Sequence, residues 1–345
     1  MTGVAEPIRP WQRASDGQFR VGVVGGGSWG TTLAHLAAIA GHETRLWVRR
    51  EELAREINGS HRSPAYTGDV DIHPRVKATT DLGEMRECFL ILVAIPSQAF
   101  RLVVRDLGDH VDGSHVVVHA TKGFERMSFL TMTEVLLQET CCRKVGVLAG
   151  PNLSAEILAG QPAVTVVGSH FPEVVDATRY GLASRQFRLY GNDDVVGVEV
   201  AGALKNVIAM ASGYVAGLGL GDNTRAGLLT RGMAEIARIG IHLGARERTF
   251  SGLSGIGDLI ATCSSPKSRN FTVGTLLAEG RSLERILEEL GHVAEGVHTT
   301  RIVHDLGRRR GLEIPITDAV HAVIDGEMGP EEVISTLMMR EVGDE

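Results

Sequence analysis

Short, uninterrupted apolar runs alternate with amphipathic stretches through the first 190 residues of the chain. Such runs are typical of strands covered on both faces, and the stretches between them have helical spacing. The alternation therefore predicts a doubly wound, parallel sheet with helices on both faces. Strands are predicted at Phe19–Val24, Thr44–Val48, Phe89–Ile95, His115–His119, Val145–Leu148, Ala163–Val167 and Phe187–Tyr190, and helices at Gly30–Ala40, Gln98–Leu107 and Phe129–Glu139.

The strand signal stops near Tyr190, where the turn-rich segment 191–194 separates it from an almost wholly helical sequence. The pattern predicts an α/β domain over residues 19–190 and an all-α domain over residues 195–340, preceded by a flexible tail over residues 1–18. Helices of the second domain are predicted at Val195–Val215, Thr224–Leu243, Phe271–Ala278, Leu283–Glu289, Thr299–Arg309, Ile316–Val323 and Pro330–Leu337.

Composition and charge argue against a nucleic-acid-binding protein, an integral membrane protein and a metal-binding protein. The 345 residues suffice for two domains, and 43% hydrophobic with 22% charged residues is typical of globular proteins. A net charge of −7 argues against a dedicated nucleic-acid binder. The longest apolar run, Phe89–Pro96, is too short to cross a bilayer, so no integral membrane segment is expected. Four cysteines without metal-ligand spacing favour the cytoplasm and predict no metal site.

Glycine is in excess, with 42 of 345 residues against a usual share of about 7%. Three glycines, Gly25, Gly27 and Gly30, follow the first predicted strand and open the first helix. In this context Gly25 permits a tight turn, Gly27 lets the backbone approach a pyrophosphate, and Gly30 allows close helix packing. The helix N-terminus adds N–H donors and a positive dipole end. A Rossmann-type dinucleotide site is therefore predicted, with a ligand-free glycine turn as the alternative.

Two arginines, Arg49 and Arg50, follow the second predicted strand, where NAD-binding domains usually carry an acidic residue. A guanidinium suits the 2′-phosphate of NADP, so this position favours NADP over NAD. The alternative is an exposed pair that merely opens a helix, and the neighbouring Glu51 and Glu52 leave the cofactor preference open.

Two polar groups stand out in the helical half. Lys205 and Asn206 lie within a helix pattern that is otherwise apolar, and burial would lower the pKa of Lys205 enough for proton transfer. A lysine snorkelling at a helix edge is the alternative. In the polar segment 252–270, Asp258 could charge-balance the lysine, and small donors with Arg269 fit a second anion site. These donors are Thr262, Ser264, Ser265, Ser268 and Asn270.

Together these segments resemble the bacterial-type NAD(P)-dependent glycerol-3-phosphate dehydrogenase family, and the resemblance extends over essentially residues 20–340. The family combines an N-terminal Rossmann domain with a helical domain, and the matching segments occur in the family's order. They are GGGSWGTTLA (25–34), VAIPSQAFR (93–101), ATKGFE (120–125), AGPNLSAEI (149–157), GALKNVIAMASG (202–213), GLGDNTRAGLLTRGMAEI (219–236), GLSGIGDLIATCSS followed by SRN (252–270), and EGVHTT (295–300).

The resemblance implies reversible hydride transfer between NAD(P)H and dihydroxyacetone phosphate, which supplies the glycerophospholipid backbone. It implies Lys205 as the proton donor and acceptor, with Asp258 and Lys122 beside it. The implied substrate-binding residues are Lys122, Gly150, Asn152, Lys205, Asp258, Ser268, Arg269 and Asn270. The implied cofactor contacts are Gly25, Gly27, Ser28, Trp29, Gly30, Arg49, Arg50, Lys122, Ser154, Arg269, Val293 and Glu295.

Two departures from the family pattern concern the cofactor side. Ser154 stands where the family normally has alanine, and segment 58–82 lacks the usual Tyr-Leu-Pro-Gly-like loop. Two other functions stay open at this level: another Rossmann-plus-helical dehydrogenase of hydroxy acids or sugar phosphates, and a non-catalytic dinucleotide-binding protein. A homodimer is expected, because the helical domain presents an exposed surface.

Overall fold

The computed structural model describes residues 19–290 and 294–339, so the predicted tail over residues 1–18 lies outside the described part. Eight strands form one sheet in the order β3-β2-β1-β4-β5-β6-β7-β8. The order runs in both directions from β1, as in a doubly wound sheet, and the predicted fold class is confirmed. The strands are β1 Val21–Val24, β2 Thr44–Trp47, β3 Val76–Thr79, β4 Leu90–Val93, β5 Val116–His119, β6 Val145–Ala149, β7 Ala163–Gly168 and β8 Phe187–Asn192.

Helices cover both faces of the sheet, which explains why its central strands are apolar throughout. In β4, Leu90 and Leu92 pack into the core that contains Leu33 of α1, whereas Ile91 packs with Phe100 of α4 on the opposite face. Successive side chains of a strand point to opposite faces, so a fully buried strand shows no alternation. These helices are α1 Ser28–Ile39, α2 Glu51–Ser60, α3 Pro64–Thr67, α4 Ser97–Gly108, α5 Met132–Glu139, α6 Ser154–Leu158 and α7 Pro172–Leu182.

After β8 the described chain is helical, and its core surrounds one long helix, α8. α8 is long and apolar enough to cross a membrane, but 89% of its most apolar stretch is buried inside the protein. This burial is typical of the core helix of a folded domain. These helices are α8 Val195–Gly217, α9 Asp222–His242, α10 Glu247–Phe250, α11 Asp258–Cys263, α12 Arg269–Ala278, α13 Leu283–Leu290, α14 Glu295–Arg310, α15 Pro315–Ile324 and α16 Pro330–Met338.

The α/β half differs from the sequence prediction at two strands and at the start of one helix. β7 runs antiparallel to β6, and the connection between them contains only the one-turn helix α6. β3 was not predicted, since four residues at a sheet edge give a weak pattern. The helix predicted from Phe129 begins at Met132 instead, because Thr131 and Glu134 form a capping box.

The parallel strands β1, β2, β4, β5 and β6 place their carboxyl ends at one edge of the sheet. Ligands of open α/β sheets bind outside these ends. The glycine segment after β1, the arginines after β2, Ser97 after β4, Lys122 after β5 and Gly150 after β6 therefore gather at this edge. α8 packs over the same part of the sheet, where its Gly202 approaches Ala149 at the end of β6.

Candidate active site

The turn between β1 and α1 has the shape of a phosphate cradle. Gly25 has a φ of +122°, and a Cβ on it would lie 2.3 Å from the carbonyl oxygen of Ala94. A Cβ on Gly30 would lie 1.8 Å from the carbonyl oxygen of Gly25. Gly27, by contrast, has open space where its side chain would be. The two outer glycines thus hold the turn against β4, while the middle one leaves room for a pyrophosphate, and the cradle fits a dinucleotide.

The first turn of α1 faces the same space. Gly27 is the N-cap and provides no side-chain cap, so the N–H groups of Ser28 and Trp29 at the start of the helix remain suited to an anion. Trp29 is half-buried and packs against the core next to the sheet. The indole therefore lies close enough to the cradle to report on binding there.

Arg49 and Arg50 are exposed directly after β2. Arg50 is also the residue before α2, so the arginines open a helix at the same edge of the sheet as the cradle. The Arg50 guanidinium donates a hydrogen bond of 3.3 Å to the Tyr66 hydroxyl. Tyr66 belongs to α3, inside the segment 58–82 that lacks the family's usual loop. This segment thus folds beside the arginines and contains both α3 and β3.

Lys205, Asp258 and Lys122 form one buried ionic cluster between the sheet and the helices. Lys205 and Asp258 are 5% and 1% exposed, and the Lys205 ammonium donates to Oδ1 of Asp258. The Lys122 ammonium donates to Oδ2 of the same carboxylate at 2.9 Å. Lys122 from the loop between β5 and α5 and Lys205 from α8 therefore meet at the carboxylate of Asp258 on α11. Two cations share this one buried anion.

The electrostatics of this cluster suit proton transfer. Burial lowers the pKa of the Lys205 ammonium strongly, the nearby Asp258 carboxylate opposes that change, and the Lys122 ammonium reinforces it. A lysine whose pKa is lowered exchanges its proton more readily at physiological pH than an exposed lysine. The alternative of a snorkelling lysine is wrong, because Lys205 is buried and its charge is paired.

Thr262 has a role that sequence reasoning did not assign. It lies four residues after Asp258 on α11, and its hydroxyl accepts a 2.7 Å hydrogen bond from the Lys205 ammonium. From the sequence alone, Thr262 is predicted only as one of the small donors of the second anion site. The four-residue spacing within a helix, which puts both side chains on one face, is the signal that could have identified it.

Glu295 connects the first turn of α14 to the end of β4. Its carboxylate accepts hydrogen bonds from the backbone N–H and the hydroxyl of Ser97, at 3.1 Å and 2.7 Å. Burial raises the pKa of Glu295, although these hydrogen bonds and the charge of Arg269 oppose the change. A Cβ on Gly123, next to Lys122, would lie 3.6 Å from the same carboxylate. Val293, which is predicted as a cofactor contact close to Glu295 in the sequence, lies outside the described residues.

Ser268, Arg269 and Asn270 lie at the N-terminus of α12. The Ser268 hydroxyl already accepts from the backbone N–H of Phe271 at 3.4 Å as the helix cap. Arg269 is exposed, and the Asn270 side-chain oxygen accepts from the backbone N–H of Gly296 at 3.1 Å. Arg269 therefore offers its charge at a helix N-terminus, a setting that favours phosphate.

Gly150, Asn152 and Ser154 follow β6. A Cβ on Gly150, which has a φ of +151°, would lie 3.1 Å from the Cα of Thr165. The Asn152 amide donates to the Thr165 hydroxyl at 2.8 Å, while its side-chain oxygen is buried with no protein partner among the described residues. Ser154 is the first residue of α6 and half-buried. These residues lie at the cradle edge of the sheet, but no hydrogen bond or ion pair in the described part of the chain joins them to the lysine cluster.

Comparison with known proteins covers both halves of the chain. A family model described as the N-terminus of NAD-dependent glycerol-3-phosphate dehydrogenase matches residues 20–175, and the model of its C-terminus matches residues 194–335. A glycerol-3-phosphate dehydrogenase [NAD(P)+] of Nitratidesulfovibrio vulgaris is 43% identical over 95% of this chain and 100% of its own length. A relative of the same name from Halalkalibacterium halodurans is 42% identical over 93% of this chain and 94% of its own length.

Solved structures show the same architecture. A glycerol-3-phosphate dehydrogenase of Coxiella burnetii superposes with a TM-score of 0.89 at 32% identity, over 94% of this chain and 99% of that one. A ketopantoate reductase of Ralstonia eutropha superposes with a TM-score of only 0.59 at 16% identity, over 90% of this chain and 98% of that one, which shows the fold alone.

Proposed function

The chain belongs to the NAD-dependent glycerol-3-phosphate dehydrogenase family, and from that premise we propose how its residues interconvert dihydroxyacetone phosphate and sn-glycerol 3-phosphate. It is an oxidoreductase that uses NAD or NADP. Other hydroxy-acid or sugar-phosphate dehydrogenases are not favoured, because the full-length relatives at 42–43% identity share one name.

The cofactor, when bound, supplies or accepts the hydride. We propose that Gly25, Gly27 and Gly30, with the N–H groups of Ser28 and Trp29, hold its pyrophosphate. In this fold the adenosine ribose of the cofactor lies beside the end of the second strand, where this chain has Arg49 and Arg50. Their guanidinium groups favour a 2′-phosphate and hence NADP. Ser154, Lys122, Arg269, Val293 and Glu295 are proposed as further cofactor contacts on the strength of the family resemblance.

Lys205 is proposed to move the proton. When the carbonyl carbon of the substrate is reduced, negative charge remains on the carbonyl oxygen, and the Lys205 ammonium donates a proton to it. In the opposite direction, neutral Lys205 accepts the proton of the alcohol. Asp258 keeps the ammonium form accessible despite burial, while Lys122 holds the other carboxylate oxygen and adds positive potential. The single observation that supports this most is the shared contact of both lysines with Asp258.

The substrate phosphate needs a second cationic site, because a bound phosphate lets remote binding energy position the carbonyl. We propose Arg269 and Asn270 at the N-terminus of α12, with Ser268 beside them. Gly150 and Asn152 are proposed substrate contacts, and the buried, unpartnered oxygen of Asn152 is consistent with an acceptor for a substrate hydroxyl.

The proposed preference for NADP predicts that the enzyme works faster with NADPH than with NADH. Initial rates with dihydroxyacetone phosphate are expected to be higher with NADPH than with NADH at low cofactor concentration. Arg49→Ala/Arg50→Ala should raise the KM for NADPH about tenfold and that for NADH less than twofold, since charge-assisted contacts are lost only for the 2′-phosphate.

Arg55→Ala is the matched control, because Arg55 is an exposed arginine of α2 paired only weakly with Glu52 at 3.8 Å. It should leave both KM values unchanged. Equal losses for NADH and NADPH in the double variant would contradict the 2′-phosphate assignment. No turnover of dihydroxyacetone phosphate with either cofactor would contradict the proposed function itself.

The phosphate assignment predicts a defect in substrate binding. Arg269→Ala is expected to raise the KM for dihydroxyacetone phosphate about tenfold to hundredfold, because a hydrogen bond to a charged group contributes about 1.5–3 kcal/mol. The change in KM should exceed the change in kcat, since Arg269 contacts neither lysine of the cluster, while a less well positioned carbonyl lowers kcat to a smaller extent. Steady-state kinetics with Arg281→Ala as control, an arginine paired with Glu289 beyond the other end of α12, would test this. An unchanged KM would remove Arg269 from the phosphate site.

We also propose a cytoplasmic homodimer that supplies the glycerophospholipid backbone. Four cysteines in 345 residues, all free in the described structure, are compatible with a reducing compartment. The product sn-glycerol 3-phosphate is the backbone onto which acyl chains are esterified. The exposed first half of α9, which lies within the family segment 219–236, is a surface that a second copy could cover.

A further inference from the structure

A second buried polar pair lies between the sheet and α8, apart from the lysine cluster. His119, the last residue of β5, is fully buried, and Glu199 in α8 is 7% exposed. The His119 Nε2 and the Glu199 Oε1 are 3.0 Å apart. The backbone N–H of Thr133 in α5 donates to the same Oε1 at 2.9 Å, and the Thr133 hydroxyl is 3.0 Å from the His119 Nε2. The pair therefore ties three elements together.

Two of these elements position the two lysines that share Asp258: the loop after β5 contains Lys122, and α8 contains Lys205. Lys122 lies three residues after His119, and the intervening Thr121 fixes that loop by donating to the carbonyl of Ile95 at 2.7 Å. Lys205 lies on the same helix as Glu199, less than two turns further along. A contact between His119 and Glu199 therefore sets the separation of the two backbones from which the lysines reach the carboxylate.

The face of α8 supports this reading. Glu199, Gly202 and Asn206 have the spacing that places residues on one side of a helix. A Cβ on Gly202 would lie 3.3 Å from the Cβ of Ala149 and 4.0 Å from the Cγ of Lys122, so this side faces the carboxyl ends of the strands. Gly202 brings the helix close to the stem of Lys122, and Glu199 anchors the helix at that distance one turn earlier.

The pair is not arranged for stability alone. The Nδ1 of His119 and the Oε2 of Glu199 are buried, and neither has a hydrogen-bond partner among the described residues. Buried polar atoms left unpaired cost free energy of folding, so each such atom calls for an explanation. We propose that His119 and Glu199 are positioning residues, which hold Lys122 and Lys205 in register at Asp258. This rests on the proposed roles of those lysines.

The proposal predicts a loss of kcat when the tie is removed. Glu199→Ala should lower kcat about tenfold to hundredfold, since misplacement of reacting groups by about 1 Å can cost about a hundredfold. The KM for NADPH should change much less than kcat, because the glycine cradle is formed by other elements and Lys122 is only one of several proposed cofactor contacts. Glu199→Gln keeps an acceptor for Thr133 and His119, so it should retain kcat within about threefold. Steady-state kinetics of folded protein, verified by circular dichroism, gives these values.

Glu235→Ala is the matched control. Glu235 is 2% exposed and accepts from the N–H groups of Ile316 and Thr317 and from the Thr317 hydroxyl at the start of α15. It should lower Tm yet leave kcat unchanged. If Glu199→Ala does not fold, His119→Leu, which also removes the tie, replaces it with the same expected loss of kcat.

Three results would overturn the proposal: wild-type kcat in the folded Glu199→Ala or His119→Leu variant, an equal loss of kcat in Glu235→Ala, or a Glu199→Gln variant as slow as Glu199→Ala. Wild-type turnover in the same assay, together with its loss in Lys205→Ala, tests the proposed function separately. A failure of the tie would leave those two results intact, and the two hypotheses can thus be distinguished.

Discussion

Replacing Lys205 by alanine is expected to abolish measurable turnover while cofactor binding survives. The residue is buried against Asp258 and Thr262. Two other donors contact this carboxylate: the Lys122 ammonium, which is already bound to it, and the Thr262 hydroxyl, which is too weak an acid to replace a lysine. Loss of a general acid typically lowers the rate about 10²–10⁴-fold. The dissociation constant of NADPH, followed through tryptophan fluorescence to which Trp29 beside the cradle contributes, should stay within about twofold, because the cradle lies on β1 and α1.

Two further variants make this prediction specific. Lys205→Met retains most of the side-chain volume and should be as inactive as Lys205→Ala, which separates loss of the ammonium from creation of a cavity. Lys144→Ala removes a half-buried lysine that pairs with Glu173 at 3.1 Å just before β6, and it should keep wild-type kcat. Near-normal turnover in either Lys205 variant would remove Lys205 from proton transfer.

The sequence could indicate the members of the lysine cluster but not its geometry. A lysine within an apolar helix pattern is unusual on its own, and Asp258 was the acidic residue nearest to the predicted anion site. That Lys122 shares the same carboxylate depends on how the loop after β5 lies against α8 and α11, across 136 residues of chain. Periodicity constrains residues within an element, and it contains no information on such a distance.

The glycine excess shows a second limit of sequence reasoning. The cradle glycines could be assigned because strand, turn and helix follow one another directly along the chain. Gly213 and Gly274 could not, since they are required by packing between helices: a Cβ on Gly213 would lie 1.9 Å from the carbonyl oxygen of Phe271, and one on Gly274 would lie 1.9 Å from that of Met210. These glycines allow α8 and α12 to cross closely, which positions Lys205 relative to Arg269 without any ligand contact.

Direction and edges of the sheet were predicted less well than its core. The central strands are short apolar runs whose burial on both faces is visible in the sequence, and each was predicted to within about two residues. The reversal at β7 leaves no trace in that pattern, because a buried strand is equally apolar in either direction. β3 is a four-residue strand at the sheet edge, and its alternation of buried and exposed residues is too short to predict a strand. It also lies in the segment that departs from the family pattern, so the resemblance does not predict it either.

Asp258→Asn is expected to be the most destabilising single change in the site. It leaves two ammonium groups without their shared anion, and breaking a buried pair typically costs about 3–5 kcal/mol. The side chain of Lys122 is 22% exposed and can turn towards water, whereas that of Lys205 is 7% exposed and cannot. Denaturant unfolding of the variant and of the wild type at matched pH would measure this loss.

The pH dependence of Asp258→Asn follows from the pKa of Lys205. Asp258 raises that pKa against the effect of burial, so its removal lowers the pKa further. Carbonyl reduction needs the ammonium form and therefore falls as pH rises through this pKa, so in the variant the fall should occur at lower pH. Below the wild-type pKa of Lys205 the folded variant binds fewer protons than the folded wild type, so the stability lost on substitution should be larger at about pH 6 than at about pH 9.

Asp194→Asn and a double variant complete the test. Asp194 is buried at the start of α8 and accepts from Gly197, Arg246 and Thr249 but contacts no lysine, so its replacement should lower stability and leave the pH–rate profile unchanged. Lys205→Met/Asp258→Asn should recover much of the stability lost in Asp258→Asn and stay inactive, because the stranded charge is gone. If the double variant is no more stable than Asp258→Asn, or if Asp258→Asn keeps the wild-type pH–rate profile, Asp258 does not hold the charge of Lys205.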